Sequence, residues 1–447
     1  MESPHFQLYT TNDDKTAVQA LESFERARYF FARSGIFRGI PDRVVQIVAF
    51  RSEQEYKAHR VNPGASGYYQ RTHRGDYIVM RDLDPEHYQI GVHEYTHFIF
   101  EHSGLKLPLW LNEGLADLYS SISSHQGEVV LGRPPLGRLY TLQRQSWIDL
   151  GTLVSVGHDS PYYSQSEKML LFYAESWALT HMLALSQDYA AQFPKFLESV
   201  SGGMDTRESL ARVYHKTLDQ ISEELHDYMQ RKQLPMHAFD LDLDAARFQP
   251  HPLASPRELA DLALADLTAS NPYADADGTA ELKSVSMRYP DSPEAEESLG
   301  YLCLRQNNPD EARLHFAKAV ERHSTAPDVI FYLAHLESSA GAAPERVIGL
   351  LNRALELKPD YYEARLELGF AAARANKFTL AASELSKIGS PRPEHAYVLS
   401  YTLAYCYAQL NEAADALKYG EIAQRAARNT HDQEQTENLL RYIERRR

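Results

Sequence analysis

The sequence predicts an α+β domain followed by an all-α solenoid of helix pairs, joined through a proline-rich linker. Three observations carry this. Up to about residue 123, β-branched and apolar runs alternate with stretches of helical spacing. Between Leu234 and Pro256 the periodicity fades and prolines gather at Pro235, Pro250, Pro252 and Pro256. From Ser292 onward one short pattern returns at a fixed interval. A chain of 447 residues also exceeds what one hydrophobic core usually organises. Residues 1–235 are therefore assigned to the first domain, 236–255 to the linker and 256–447 to the helical array.

The first elements follow in order. HFQLYT predicts a strand, and Val18, Leu21, Phe24, Ala27, Phe30 and Phe31 line one side of a helix over 17–32. RVVQIVAF, from Arg43 to Phe50, is β-branched and predicts a buried strand, after which Ser52 is placed to cap a short helix. GYYQRT and DYIVMR, split by HRG, predict a hairpin. Helices are expected over 84–102 and 109–121, separated by SGLKLP, and then over 168–186, 189–201, 205–215 and 217–232.

In the C-terminal half, Leu299-Gly300-Tyr301, Leu333-Ala334-His335, Leu368-Gly369-Phe370 and Leu403-Ala404-Tyr405 recur at intervals of 34, 35 and 35 residues. That is the tetratricopeptide (TPR) period. Ala312, Ala319, Ala354, Ala381, Ala416 and Ala423 fall where the two helices of a unit must approach closely. Residues 256–289 are expected to form a degenerate fifth pair, and 432–445 a charged cap. Placed on the repeat consensus, Tyr301, Phe331, Phe370, Tyr401 and Tyr405 face the inner groove, which suits an apolar protein partner. The same rings are equally suited to packing between repeats.

Composition excludes several functions. A formal net charge of −15 repels phosphate backbones, so no nucleic-acid partner is expected. No apolar run approaches the roughly 18 residues a spanning helix needs. Cys303 and Cys406 form neither a metal-type pair nor an expected disulfide. The opening MESPHFQLYT lacks the basic and apolar regions of a secretory leader, so none is expected, and the compartment stays open between cytoplasmic and extracytoplasmic.

The chemistry concentrates in His93-Glu94-Tyr95-Thr96-His97. Residues four apart share a helix face, so both imidazoles can reach one ion, and Glu94, offset by about 100°, can hold a water beside it. By itself the string also fits a solvated helix face carrying two histidines. Sixteen residues after His97 stands Glu113, within Pro108-Leu109-Trp110-Leu111-Asn112-Glu113-Gly114-Leu115-Ala116-Asp117. A catalytic zinc needs three protein ligands and an open position, and two histidines with a glutamate are an attested set. Glu113 is the natural third ligand, and Asp117, one turn on, can accept the distal N–H of a ligand histidine. Register excludes a metzincin, since Phe100 and Ser103 stand where its Gly and His belong. His102 then reads as a helix-end histidine.

Over residues 1 to about 230 the chain resembles the gluzincins, and within them the peptidase MA-like families in which HExxH is followed by PxWLNEGLA. The resemblance implies a zincin-like, thermolysin-like fold and one catalytic Zn²⁺ on His93, His97 and Glu113, with Glu94 as general base and Asp117 behind the ligands. Tyr173, in Tyr173-Ala-Glu-Ser-Trp-Ala-Leu-Thr-His181, looks like the helix tyrosine that stabilises the oxyanion in aminopeptidase-type members; it also suits a packed face, with His181 and His158 as weaker alternatives. In related enzymes the edge strand before the motif helix pairs with extended substrate, which implicates Tyr77, Ile78 and Val79. The expected function is zinc-dependent peptide hydrolysis, with the repeats recruiting substrate or a protein partner. The alternatives are an inactive zincin serving as a TPR scaffold and a hydrolase of a non-peptide amide or ester.

Overall fold

Strand β1 (Phe6–Thr10) pairs in parallel with β2 (Val45–Ala49), and β2 in parallel with β4 (Asp76–Met80); β3 (Gly67–Arg71) closes the sheet antiparallel to β4, giving the order β1-β2-β4-β3. The computed structural model describes every residue except 38, 62–64, 126–127, 244–247, 272–277 and 447, and divides into two compact units, Met1–Gly278 and Thr279–Arg447.

Side-chain alternation sends Phe6, Leu8, Ile47, Ile78 and Met80 to one face of this sheet. There they meet α1 (Asp14–Arg33), whose Phe24, Phe30 and Phe31 are fully buried. Tyr9, Val48, Tyr77 and Val79 point to the other face, where Tyr56 from the short α2 (Glu53–Tyr56) joins them. Both faces are covered, so β4 is apolar at consecutive positions, as an interior strand must be. This corrects the expectation that Tyr77, Ile78 and Val79 form an edge. All three are at 0% exposure, and the edge beside β4 is formed by β3.

Helix α3 (Tyr88–Ser103) follows a 3₁₀ turn capped by Asp84 and stops at Gly104, whose φ of 72° only glycine adopts without cost. It buries Val92, Tyr95, Phe98 and Ile99 on the sheet and leaves His93, Glu94 and His97 facing outward from it. Helix α4 (Leu109–Ser120) lies against α3 and is pinned by the buried Trp110 and Leu111. Around these run α5 (Leu136–Arg144), α6 (Leu150–Leu153), α7 (Pro161–Ser164) and α8 (Ser166–Leu185). Helix α8 is buried along most of its length, with Phe172, Trp177 and Leu183 at 0% exposure. A Cβ on Gly114 of α4 would sit 2.2 Å from Thr180 Oγ1 and 2.4 Å from the Ser176 carbonyl of α8. Gly114→Ala is therefore expected to force α4 away from α8 at a cost of about 1–3 kcal/mol. Denaturant unfolding checks this, and a parental midpoint would mean that the contact yields.

Helices α9 (Phe193–Ser201), α10 (Thr206–Tyr214) and α11 (Leu218–Met229) complete the helical side. A second sheet joins β5 (Ser123–His125), β6 (Glu128–Leu131) and β7 (His237–Phe239), all antiparallel. The expected linker is thus partly structural: β7 pairs with β6, and Glu2 and His251 pair through their backbones at 2.8 Å. Its residues 244–247 lie outside the described residues. Helix α12 (Pro256–Ser270), expected to open the array, instead lays Ala263 and Leu267 on the second face of the first sheet. The exposed apolar side of that sheet required a cover, and the first helix after the linker supplies it.

The second unit follows α13 (Gly278–Arg288) with four antiparallel pairs: α14 (Glu294–Arg305) with α15 (Pro309–Glu321), α16 (Pro327–Ser339) with α17 (Pro344–Leu357), α18 (Tyr362–Arg374) with α19 (Phe378–Ser386), and α20 (Ala396–Gln409) with α21 (Ala413–Ala426). Helix α22 (Thr430–Arg445) packs on the last pair. This is a TPR-like array, an architecture that scaffolds protein interactions. Small residues recur where each pair crosses: a Cβ on Gly300 would lie 2.4 Å from Phe316, and one on Gly369 would lie 2.4 Å from Leu385. Each pair also turns through one left-handed residue, Asn307 (φ 57°), Gly341 (78°), Asn376 (57°) and Asn411 (62°). Gly and Asn are the residues that visit this region most readily. Of the aromatics expected in the groove, Tyr301 stacks edge-on with Phe316 and Phe331 packs on Tyr361, while Tyr405 stays 39% exposed. Packing between helices therefore claims part of the set.

Candidate metal centre

Helices α3 and α4 bring the motif residues together. His93 Nε2 lies 3.3 Å and His97 Nε2 3.4 Å from Glu113 Oε2, and the three form the metal-type cluster found among the described residues. Four ligands at about 2.0–2.1 Å around a tetrahedral zinc stand about 3.3–3.4 Å apart. The observed separations match that edge.

The distal nitrogens fix the tautomers. His97 Nδ1 donates to Asn112 Oδ1 at 2.7 Å, and His93 Nδ1 to Asp117 Oδ1 at 3.0 Å. Each ring then turns an unprotonated Nε2 toward Glu113, whose buried Oε2 has no hydrogen-bond donor. Three lone-pair atoms facing one another repel unless a positive charge lies among them. Among the described residues lining the site, the buried carboxyl groups of Glu94, Glu113 and Asp117 outnumber the guanidinium of Arg138, an excess suited to a dication.

Proton affinities report the same demand. Burial works against a charged His93, yet the Asp117 and Glu113 carboxylates beside it outweigh this and raise its pKa to about 10, so that with no cation between them the ring would take up a second proton. Burial likewise opposes charge on Glu113, but the two imidazoles hold its carboxyl well below the usual range. For Glu94 burial dominates and pushes the carboxyl upward, moderated by the imidazoles and by the Tyr69 backbone N–H, which donates to it.

These groups line a cleft of about 910 Å³. Asp117 is held bidentately by Arg138, Nε to Oδ2 at 2.7 Å and Nη2 to Oδ1 at 3.2 Å, and that guanidinium lies 5.0 Å over the Tyr173 ring. Tyr173 stands 6.3 Å from the His93 ring between centroids. From α7, the Tyr163 hydroxyl donates to Glu113 Oε1 at 3.2 Å, and its ring lies along that of Tyr173 at 6.4 Å. His158 reaches the cleft beside Tyr163. Tyr77, Ile78 and Val79 lie outside it. The strand at its rim is β3, and since Arg81 N bonds to Ser66 O and Thr72 N to Gly75 O, alternation turns the backbone of Gly67 and Tyr69 away from β4.

Asn112, Arg138 and Tyr163 were missed in the sequence. Asn112 had a signal, being one residue before a candidate ligand on the same helix. Arg138 and Tyr163 are 21 and 50 residues from their partners and had none. His102, read as a helix-end residue, donates to the buried Asp76 at 2.8 Å.

His181 lies away from this site. Its Nε2–H donates to the Gly132 carbonyl at 2.9 Å, so Nδ1 accepts from Tyr228 at 2.7 Å. Burial lowers its pKa to about 4. The unfolded chain takes up this proton near 6.5, the folded one only near 4, so stability is full above about 6.5 and falls as pH drops through that window. Parent protein is expected to lose about 3 kcal/mol more than His181→Gln between those limits. Unfolding curves at stepped pH check this, with parallel slopes as the contrary result.

No family model and no curated protein matches the chain. Among solved structures it is similar to YrrB, a TPR protein with an unusual peptide-binding site (19% identity, 40% of this chain and 92% of that one, TM-score 0.35). It is also similar to PilF of Pseudomonas aeruginosa (16%, 42% and 84%, TM-score 0.30) and to MamA of Desulfovibrio magneticus RS-1 (13%, 34% and 93%, TM-score 0.28). Likenesses this loose carry no functional argument. Among the described residues, no helix is long and apolar enough to cross a membrane.

Proposed function

We propose that the first unit is a zinc-dependent peptidase of gluzincin type and that the TPR-like array recruits its substrate or a protein partner. The observation that carries this is the convergence of His93 Nε2, His97 Nε2 and Glu113 Oε2 at tetrahedral-edge separations around an oxygen with no donor. A zinc ion there would lower the pKa of a water and polarise the scissile carbonyl. Glu94 takes the water's proton and delivers it to the leaving amine, held in place by the Tyr69 N–H. Tyr173 offers its hydroxyl to the oxyanion. The outward backbone groups of Gly67 and the Tyr69 carbonyl on β3 are the edge along which an extended peptide would lie.

A second reading, a scaffold without turnover, draws on the repeat array. Its weakness is Glu94, a buried carboxylate that a structural metal site has no use for. Metal analysis with a peptide-library digest of the parent and Glu94→Gln separates the two. Zinc with parent-only cleavage supports the peptidase; zinc without cleavage leaves the scaffold.

A further inference from the structure

Glu113 presents two unlike oxygens. Oε2 faces both imidazoles and has no donor, whereas Oε1 accepts from the Tyr163 hydroxyl. We infer that Tyr163 is a positioning residue that restricts Glu113 to one-oxygen ligation of the metal. This rests on the zinc reading above. A carboxylate with both oxygens at liberty can chelate and take up a second coordination position, the one a hydrolytic site keeps for water. A hydroxyl donating to Oε1 occupies the lone pair that chelation would use and fixes the carboxylate plane.

Tyr163 is held for this task independently of α3 and α4. Helix α7 begins with Ser160, whose side chain accepts from the Tyr162 N–H, and with Pro161, whose ring presets the first turn. The Tyr163 ring meets Phe172 edge-on at 6.0 Å, lies along Tyr173 at 6.4 Å and meets the His158 ring edge-on at 5.2 Å.

The test compares full-length parent, Tyr163→Phe and Tyr173→Phe, each with zinc and with cobalt(II) as a spectroscopic stand-in. Tyr163→Phe is expected to weaken zinc binding, in competition with a chelator, about tenfold to a hundredfold. It should also lower the cobalt visible absorption as coordination rises above four. Tyr173→Phe should leave both unchanged while slowing turnover. Parental affinity and spectrum in a Tyr163→Phe protein with a parental melting curve would overturn the inference alone. A parent that takes up neither metal overturns the zinc reading and this inference with it.

Discussion

Glu94→Gln is expected to slow peptide hydrolysis by about 10²- to 10⁴-fold, the usual contribution of a positioned acid–base group, while zinc content stays at the parental level. None of the three converging ligand atoms belongs to Glu94, so the substitution leaves His93, His97 and Glu113 where they are. It removes the one buried carboxylate in the cleft held by neither a ligand position nor Arg138. Burial raises the Glu94 pKa, so its ionised form costs stability as pH rises above the ordinary carboxylate range. A neutral amide should therefore fold at least as well. The measurement is turnover on a peptide library with metal content determined on the same sample; parental turnover by the zinc-loaded variant would remove Glu94 from the base role.

Asp117→Ala should have the largest effect on the fold. Asp117 is 6% exposed and is the partner of both Arg138 and His93. Truncation strands a guanidinium in a poorly solvated wall, at about 3–5 kcal/mol, and frees the His93 ring to rotate, which should weaken zinc binding about tenfold to a hundredfold. The two losses separate in a second variant: Asp117→Ala with Arg138→Met should regain much of the stability and none of the affinity. Equal recovery of both would show that Asp117 acts on the metal through folding alone.

Much of this was legible in the sequence for definite reasons. Helical spacing alone puts His93 and His97 on one face, and the TPR period needs only counting. What sequence could not give was decided by tertiary cover. DYIVMR looks like an edge strand because it precedes the motif helix. Its placement between β2 and β3 depends on Tyr77 and Val79 being roofed by α12, an element far along the chain that periodicity assigns to the array. Tyr163 and Arg138 were invisible because a residue that holds a ligand from a separate loop keeps no fixed spacing to it. The left-handed turns lay in plain view as Asn307, Gly341, Asn376 and Asn411, at the same 34- and 35-residue steps as the leucines.

Those four turns make the C-terminal unit modular in a strict sense. Excising the chain from just after Gly341 through Asn376 would splice one left-handed hinge onto the sequence that normally follows its equivalent, with the flanking helices still in phase. The array can thus lose a rung without a change of pitch. Its length is adjustable by whole periods, each step adding or removing one helix pair.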